Sequence, residues 1–537
     1  MNEGSLTDRR RTIKYMLIPS AVSIALIIVS VIKAQGIFFP TDEFGYWSNA
    51  AAILGTDWTG VTGGVSNYAK GYSILLLPLM AFCKNPVIMY RSALILNCLL
   101  MILASFLFIR LIRLIYGDFT VWTIPCLIFP SFLIYMSYTI SEILLYVLFL
   151  ELCCVTVRIT REDNNTGLIC LGVMISALMV FTHYRTAGIA VIFAVTCFQV
   201  SKKKTLSDKK TFLIAVIVLT LLLISMVFYS LTGRIIIAKQ LSPGLIVDFL
   251  LGSAGKIFYL GVSTFGVGII GAAVTFKKRS EPFSSFFLLS FAYMVMLGTF
   301  FFCDGIRLDQ PVYGRYGEIF IPLFLYIGAK EICENDKKWD NVIIFMGISA
   351  IALTIYVMFT EKIEYVPDFV NGIDWLFLTG MPRLSEVYIK PFFVASAGLF
   401  ILNRLLQKEK ARNICAICMI AVFLFSSVSL SQKHIWHFQD LDVTDRQLAE
   451  SALEAAGKDR EVIFLNSPYN DYVNLLQFWF GDKKIELTEG LASEAFATPK
   501  DAVVITYGNY ECDSQLLARY TDVTSSAHFE MYHNSEK

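Results

Sequence analysis

The chain has 537 residues, of which 56% are apolar, 14% aromatic and only 17% charged, and its formal net charge is +1 at pH 7. Soluble globular proteins carry about 25% charged residues, so this composition excludes an ordinary soluble enzyme and a disordered chain. The balanced charge offers no basic excess for nucleic acid. We therefore expect a membrane protein with many spans and some soluble mass.

Thirteen apolar runs between residues 15 and 430 are candidate membrane spans. The first follows Arg9, Arg10, Arg11 and Lys14, and no small-x-small cleavage site follows it, so an uncleaved first span is expected. The runs cover residues 15–32, 90–110, 119–136, 140–157, 167–182, 187–200, 211–231, 254–276, 284–303, 316–330, 341–360, 388–405 and 412–430. A shorter stretch, 72–82, is predicted to be re-entrant or interfacial and not to cross.

The positive charges predict the orientation of these spans. If 72–82 does not cross, 23 Lys and Arg residues, including the four before the first span, lie in the N-terminal segment and in alternate loops. The positive-inside rule then places those loops and the N-terminus in the cytoplasm. An odd number of spans puts the segment after residue 430 outside, in a multi-pass protein of the cell membrane.

Two domains are predicted, a membrane domain over residues 1–430 and an extracytoplasmic α/β domain over residues 431–537. The second contains alternating elements, which we place as strands at 461–466, 483–487, 502–507 and 527–532 and helices at 470–480, 490–496 and 513–519. It shows no Gly-rich phosphate loop and no nucleophile elbow. We therefore expect it to carry no catalytic residue of its own.

Adjacent carboxylates, Asp42 and Glu43, begin the predicted first outer loop, about 36–90, just after the first span. A carboxylate at the membrane boundary can act as a general base for an acceptor hydroxyl, and partial burial would raise its pKa. The alternative is that the pair caps the helix that follows. Position alone leaves both interpretations open.

Basic residues are unexpectedly frequent on the predicted outer face. They are Lys70, Arg91, Arg185, Arg234, Lys256, Arg307 and Arg315. Arg185 lies between two short spans, and Arg315 precedes Tyr316 at the start of another. Arginine beside aromatic residues suits a lipid-linked phosphate or pyrophosphate. The alternative is snorkelling to lipid headgroups, or pairing with Glu142, Asp304 or Asp309.

Glu142 lies at the predicted outer start of the span 140–157, where it could orient a substrate or pair with Arg185. His183 is the only histidine before residue 434, so no histidine-rich metal site is predicted. A divalent cation bound by Asp42 and Glu43 is kept as an alternative without positive support.

Several short motifs resemble those of the GT-C membrane glycosyltransferases. They are Asp42-Glu43, the stretch Tyr68-Ala69-Lys70-Gly71-Tyr72 with Pro78, Ser141-Glu142, and Arg315-Tyr316 leading into Pro322. The branch that includes the lipid A aminoarabinose transferase and the protein O-mannosyltransferases is the most similar. The resemblance extends over roughly residues 10–430 and implies thirteen spans with an outer α/β domain. It specifies neither the sugar nor the acceptor.

The resemblance implies transfer of a sugar from a polyprenyl-phosphate donor to an acceptor on the outer face. It implies that an acidic residue of the first loop, Asp42 or its neighbour Glu43, is the base or orients the acceptor. Arg315, Arg185 and less closely Lys70 would hold the donor phosphate. Lys70-Gly71-Tyr72 departs from the Lys-Pro-Pro type of motif of close relatives, and the first loop lacks histidine, so neither their acceptor site nor a metal site is carried over.

Two other functions compete with this enzyme. A transporter or flippase of lipid-linked sugar tends to show internal repeats and charges deep in its spans, and neither is seen here. A polysaccharide polymerase or ligase depends on a large late outer loop, whereas 361–387 is moderate in size. Glycosyl transfer is therefore favoured over both.

Overall fold

The computed structural model describes residues 3–38, 40–62, 66–162, 166–203, 243–301, 310–335, 339–359, 390–405, 408–465, 471–488, 499–508 and 513–534. The predicted span 211–231, the predicted helix 490–496 and the loop 361–387 lie outside these residues, as do Arg234, Asp304, Arg307 and Asp309. The chain divides into two compact units. The first contains Met1–Leu26, Leu100–Ile134 and Glu142–Leu430, and the second contains Ile27–Leu99, Tyr135–Ser141 and Ser431–Lys537.

Helices make up most of the described chain. The helices up to residue 203 are α1 (Glu3–Lys33), α2 (Pro40–Leu54), α3 (Thr59–Thr62), α4 (Lys70–Phe82), α5 (Pro86–Tyr116), α6 (Thr123–Leu127), α7 (Pro130–Tyr135), α8 (Glu142–Arg161), α9 (Thr166–Thr182) and α10 (Ala187–Lys203). Those after it are α11 (Pro243–Ser263), α12 (Val267–Lys277), α13 (Pro282–Phe301), α14 (Ile321–Glu334), α15 (Asp340–Phe359), α16 (Lys390–Leu405), α17 (Glu409–Leu430), α18 (His437–Ala456), α19 (Val473–Phe480) and α20 (Asp513–Arg519).

A multi-pass membrane protein follows from the length and composition of these helices. Among the described residues, six helical segments are long and apolar enough to cross a bilayer. Five of them lie in α1, α5, α8, α11 and α13, and the sixth is Ala411–Ala456. Large apolar side chains stay exposed along them, including Leu17, Ile28 and Leu99. Such exposure is unfavourable in water but suits a lipid-facing surface.

Two predicted continuous spans are broken in the structure. The run 254–276 is divided between α11 and α12, because Phe265 and Gly266 have φ of 52° and 77°. Consecutive left-handed residues cannot continue a right-handed helix, and Gly266 accepts that conformation without steric cost. The run 119–136 is divided between α6 and α7 at Pro130, which has no N–H to donate to a helix.

Close helix packing in the first unit depends on small residues. A Cβ atom built on Gly271 of α12 would lie 1.9 Å from the carbonyl oxygen of Phe324 in α14, and one on Gly328 of α14 would lie 1.9 Å from the carbonyl oxygen of Val267. The two backbones therefore touch at both glycines. Such contacts are characteristic of helix association in membranes, where the hydrophobic effect cannot drive helices together.

The second unit contains a five-stranded mixed sheet. Its strands are β1 (Val462–Leu465), β2 (Ile485–Thr488), β3 (Val503–Tyr507), β4 (Asp522–Ser525) and β5 (Phe529–His533), in the order β2-β1-β3-β5-β4. The first three strands are parallel, and β4 and β5 are antiparallel to their neighbours. All of β1 and most of β3 are buried, which explains why the sequences of these strands are largely apolar.

The elements predicted for the tail agree with this sheet where they are described, including the helix at 513–519. Two elements were not predicted, the strand β4 and the helix α18, whose sequence is too polar to resemble a span. Residues after the first span also belong to this unit. Trp58 donates its indole N–H to the carbonyl of Gly481 at 2.7 Å, and Trp479 donates to that of Gln35 at 2.9 Å.

Candidate functional site

The two carboxylates of the first loop have different surroundings, although they are neighbours in the first turn of α2. Glu43 is completely buried. One of its oxygens accepts from the N–H of Phe38 at 2.6 Å, and the other accepts from the hydroxyl of Tyr90 at 2.9 Å and from both the N–H and the hydroxyl of Thr139. Glu43 therefore joins three separate segments of the second unit.

Asp42 is only partly buried and accepts a hydrogen bond from the Tyr68 hydroxyl at 2.6 Å. Helix geometry causes this divergence, because successive side chains on a helix point about 100° apart. The capping interpretation suits Glu43, whose side chain reaches back to the N–H of Phe38 before the helix. Asp42 is therefore the more accessible of the two carboxylates.

Tyr68 is held in place by the residues around it. Its ring lies 5.2 Å from that of Tyr46, and its backbone carbonyl accepts from the Asn49 side chain at 2.9 Å. Gly45 provides the space for it, since a Cβ there would lie 2.2 Å from the Tyr68 ring. The Tyr68 hydroxyl is thereby directed at Asp42, which fixes the orientation of that carboxylate.

Lys70 begins α4 and is exposed. A cation at the first residue of a helix lies against the positive end of the helix dipole, which is unfavourable without an anion nearby. The structure places Lys70 two residues after Tyr68 and records no contact of its side chain with Asp42.

In the first unit, four predicted site residues meet. Oε1 of Glu142 accepts from Nη2 of Arg185 at 3.2 Å and from Nε of Arg315. The Arg185 guanidinium also lies over the Tyr316 ring, 5.0 Å from its centre. Only 2% of the Glu142 side chain, 4% of that of Arg185 and 16% of that of Arg315 is exposed. The predicted pairing of Arg185 with Glu142 is therefore present, and Arg315 joins it.

The local backbone turn positions the Arg185 side chain, in addition to its ion pair with Glu142. It lies in a 3₁₀ turn, Tyr184–Thr186, in which Nδ1 of His183 accepts from the N–H of Arg185 at 3.4 Å. The turn brings the guanidinium inward from between α9 and α10. His183 thus has a local structural role in this turn.

Two buried atoms in the ion cluster of Glu142, Arg185 and Arg315 are not satisfied by the contacts described above. Within the part of the chain that the structure describes, Nε of Arg185 and Oε2 of Glu142 are buried without a hydrogen-bond partner. A buried donor without a partner is costly, by about 1–3 kcal/mol. An anionic ligand would satisfy this donor.

A small cavity adjoins the cluster through Tyr316. Lys256, Tyr259 and Tyr316 supply its polar lining. Lys256 is buried and donates to the carbonyl of Pro311 at 3.3 Å, while the Tyr259 hydroxyl donates to the buried Glu318 at 2.6 Å. The sequence had marked Lys256 as an outer cation, but it gave no role to Glu318, which lies three residues after Arg315.

The fold of this chain is similar to that of solved membrane proteins. ArnT from Cupriavidus metallidurans in the apo state matches with a TM-score of 0.56 at 11% identity, over 97% of each chain. The same protein bound to undecaprenyl phosphate matches with a TM-score of 0.51 at 10% identity, over 97% of this chain and 98% of that one. The oligosaccharyltransferase of Archaeoglobus fulgidus gives a TM-score of 0.47 at 11% identity, over 92% of this chain and 69% of its own.

No protein-family model and no curated protein matches the sequence. The likeness to ArnT therefore concerns the fold. The chain has the fold of a polytopic helical membrane protein with a small C-terminal sheet domain, as the sequence predicted.

Proposed function

We propose that the chain is a membrane glycosyltransferase that moves a sugar from a polyprenyl-phosphate donor to an acceptor at the outer face of the membrane. The observation that carries the proposal is the cluster of Arg185, Arg315 and Glu142, in which Nε of Arg185 is buried without a hydrogen-bond partner among the described residues. The fold supports it, because the similar ArnT has been solved with undecaprenyl phosphate bound.

In this proposal, Arg185 and Arg315 bind the donor phosphate. Guanidinium groups present paired N–H donors that match phosphate oxygens. Glu142 holds both side chains in position and lowers the cost of burying two like charges. Tyr316 covers the Arg185 guanidinium, so the group is held in one plane. Lys70, which is exposed at the start of α4, is a further candidate for phosphate contact.

Asp42 is proposed as the general base. An oxygen or nitrogen of the acceptor attacks the anomeric carbon, and the bond from that carbon to the phosphate oxygen breaks with its electron pair. The acceptor proton passes to the Asp42 carboxylate. The leaving polyprenyl phosphate gains negative charge, which Arg185 and Arg315 stabilise. A single displacement of this kind inverts the configuration at the anomeric carbon.

Glu43 was the second candidate for the base. Its burial and the hydrogen bonds to Phe38, Tyr90 and Thr139 support a structural role, since its lone pairs are directed at fixed donors. The same contacts argue against a divalent cation between Asp42 and Glu43, because the ion would have to displace them.

The outer face is proposed from the distribution of basic residues, which places the N-terminus inside and residues 431–537 outside. The sugar is proposed to be a hexose or pentose, and the acceptor a lipid, a glycan or a protein. The C-terminal domain is proposed to help bind the acceptor without supplying a catalytic residue.

Binding of undecaprenyl phosphate to the purified full chain tests the proposal. We expect saturable binding that Arg185→Ala weakens at least about tenfold, equivalent to about 1.4 kcal/mol. Arg158→Ala is the matched control, because Arg158 pairs with Glu162 on a partly exposed helix surface. Equal affinity of the wild type and Arg185→Ala would reject the assignment. Sugar translocation across vesicles without transfer to any acceptor would favour a transporter instead.

A further inference from the structure

A second group of ionisable side chains lies in the C-terminal domain, apart from the residues of the proposed reaction. Asp442 and Asp445 are three residues apart on α18 and therefore share one face of that helix. His528 immediately precedes β5. One potential ligand atom from each residue lies within 4.8 Å of the others.

The group is held together by contacts between Asp445 and His528. The N–H of His528 donates to Oδ1 of Asp445 at 3.0 Å, and its ring Nδ1 lies 2.6 Å from Oδ2. Asp445 is completely buried. The His528 ring is stacked on that of Tyr472, with ring centres 4.9 Å apart, and lies nearly parallel to that of Tyr507. The imidazole plane is therefore fixed.

These contacts leave the burial of the Asp442 side chain unexplained. It is 95% buried, with 5% exposed, yet among the described residues its carboxylate takes part in no hydrogen bond. A carboxylate in this position needs either a proton or a cation, since an unpaired buried charge is costly.

We propose that Asp442, Asp445 and His528 bind one divalent transition-metal ion that links α18 to β5. Two carboxylate oxygens and one imidazole nitrogen form a donor set suited to Zn²⁺, Mn²⁺ or Fe²⁺. Ca²⁺ and Mg²⁺ prefer oxygen ligands throughout and are less suited to a site with imidazole. The ion balances the two buried carboxylates. It would support the domain by joining two elements that lie more than 70 residues apart in the sequence.

The site could not be recognised from the sequence. Asp442-x-x-Asp445 is a common pattern on exposed helices, and His528 is 83 residues away from Asp445. The tail has one close pair of histidines, His434 and His437, and a single cysteine, Cys512, so it contains no Cys-x-x-Cys pair of the familiar zinc motifs. Only the fold places the three side chains together.

Metal content of the purified full chain tests this proposal. The protein is treated with chelator, incubated with Zn²⁺ or with Mn²⁺, freed of excess ion and analysed by mass spectrometry for metals. We expect about one ion per chain for at least one of the two metals. Asp442→Asn and His528→Ala should each reduce that content at least tenfold. Glu454→Gln is the matched control, because Glu454 is exposed on the same helix.

Thermal unfolding provides a second measurement that remains informative if a variant folds poorly. An ion that binds the folded domain stabilises it by mass action, so Zn²⁺ or Mn²⁺ should raise the Tm of the chelator-treated wild type by at least about 2 °C. Asp442→Asn should remain folded, because the amide removes the repulsion from Asp445, but it should lose the response to metal. A wild type that binds neither ion, or an Asp442→Asn variant that binds as the wild type does, would overturn the proposal.

Discussion

Nη2 of Arg185 lies 3.2 Å from Oε1 of Glu142, and more than nine-tenths of each side chain is buried. Because Arg315 contacts the same oxygen, one carboxylate serves two arginines. A buried ion pair alone is weak evidence of function, since replacing it by apolar residues is often neutral or stabilising. The distinguishing feature of this cluster is the buried Nε of Arg185, which has no hydrogen-bond partner among the described residues and which the proposed donor phosphate would satisfy.

Arg315→Lys is expected to weaken binding of undecaprenyl phosphate about as much as Arg315→Ala. Lysine keeps the charge but not the planar pair of donors, so it cannot bind the phosphate and Glu142 in the same geometry. Equilibrium binding to the purified protein would measure this. Full affinity in Arg315→Lys would show that charge alone is required.

Glu142→Gln is expected to lower the stability of the protein more than it lowers the affinity for undecaprenyl phosphate. The variant removes the carboxylate charge that the buried Arg185 and the partly buried Arg315 share, and breaking a buried pair costs about 3–5 kcal/mol. Thermal unfolding in detergent would show a reduced Tm, and added undecaprenyl phosphate should restore part of it. Glu162→Gln, at the partly exposed pair with Arg158, should change the Tm little. Similar Tm values for the two variants would contradict a buried three-residue cluster.

Gly314→Ala is expected to disturb the cavity beside the cluster. A Cβ at this position would lie 1.9 Å from the Tyr259 ring, so the ring must move and its hydrogen bond to Glu318 must weaken. Donor affinity should fall while the protein still inserts. Gly167→Ala is the control, because a Cβ there meets no atom within 4 Å. An unaltered donor affinity in Gly314→Ala would show that this cavity takes no part in donor binding.

The proposed orientation can be tested with single cysteines introduced into a cysteine-free chain. Gln447 is exposed on α18 and should be labelled by an impermeant reagent from outside the cell, whereas Lys203 at the end of α10 should not. Outside labelling of residue 203 would reverse the scheme. This labelling tests only the orientation that the positive-inside rule predicts, and either result leaves the proposed chemistry of the site open.

Apolar runs predicted the helices well because a membrane span requires about 20 apolar residues. The positions at which helices are interrupted could not be predicted from these apolar runs. Phe265 is an ordinary apolar residue in sequence, and only its positive φ ends the helix there. The helix α18 was missed for the opposite reason, since its polar face resembles a soluble segment.

The candidate site was predictable as a set of residues but not as an arrangement. Glu142 and Arg185 were recognised as possible partners because ionisable groups near spans seek opposite charges. The participation of Arg315, which is 173 residues from Glu142, depends on the tertiary fold. The division of roles between Asp42 and Glu43 likewise depended on Tyr90 and Thr139, whose contacts with Glu43 no local pattern reveals.

Glu43→Gln is expected to reduce stability, because an amide can accept at only one atom whereas the carboxylate accepts at both. Each hydrogen bond to a charged group is worth about 1.5–3 kcal/mol. A lower Tm with transfer activity that recovers under stabilising conditions would fit this structural role. Loss of activity in a variant of unchanged Tm would instead make Glu43 the base.

The most direct test of the proposed chemistry is the transfer rate of Asp42→Asn, measured with a polyprenyl-phosphate sugar in a preparation with verified insertion. The amide keeps the size of the carboxylate but cannot accept the acceptor proton, so the account predicts a loss of at least about 10²-fold with undecaprenyl phosphate affinity unchanged. Asp57→Asn is the matched control, because Asp57 is an exposed carboxylate of the same first loop and should retain full activity. A near-normal rate in Asp42→Asn would contradict the account.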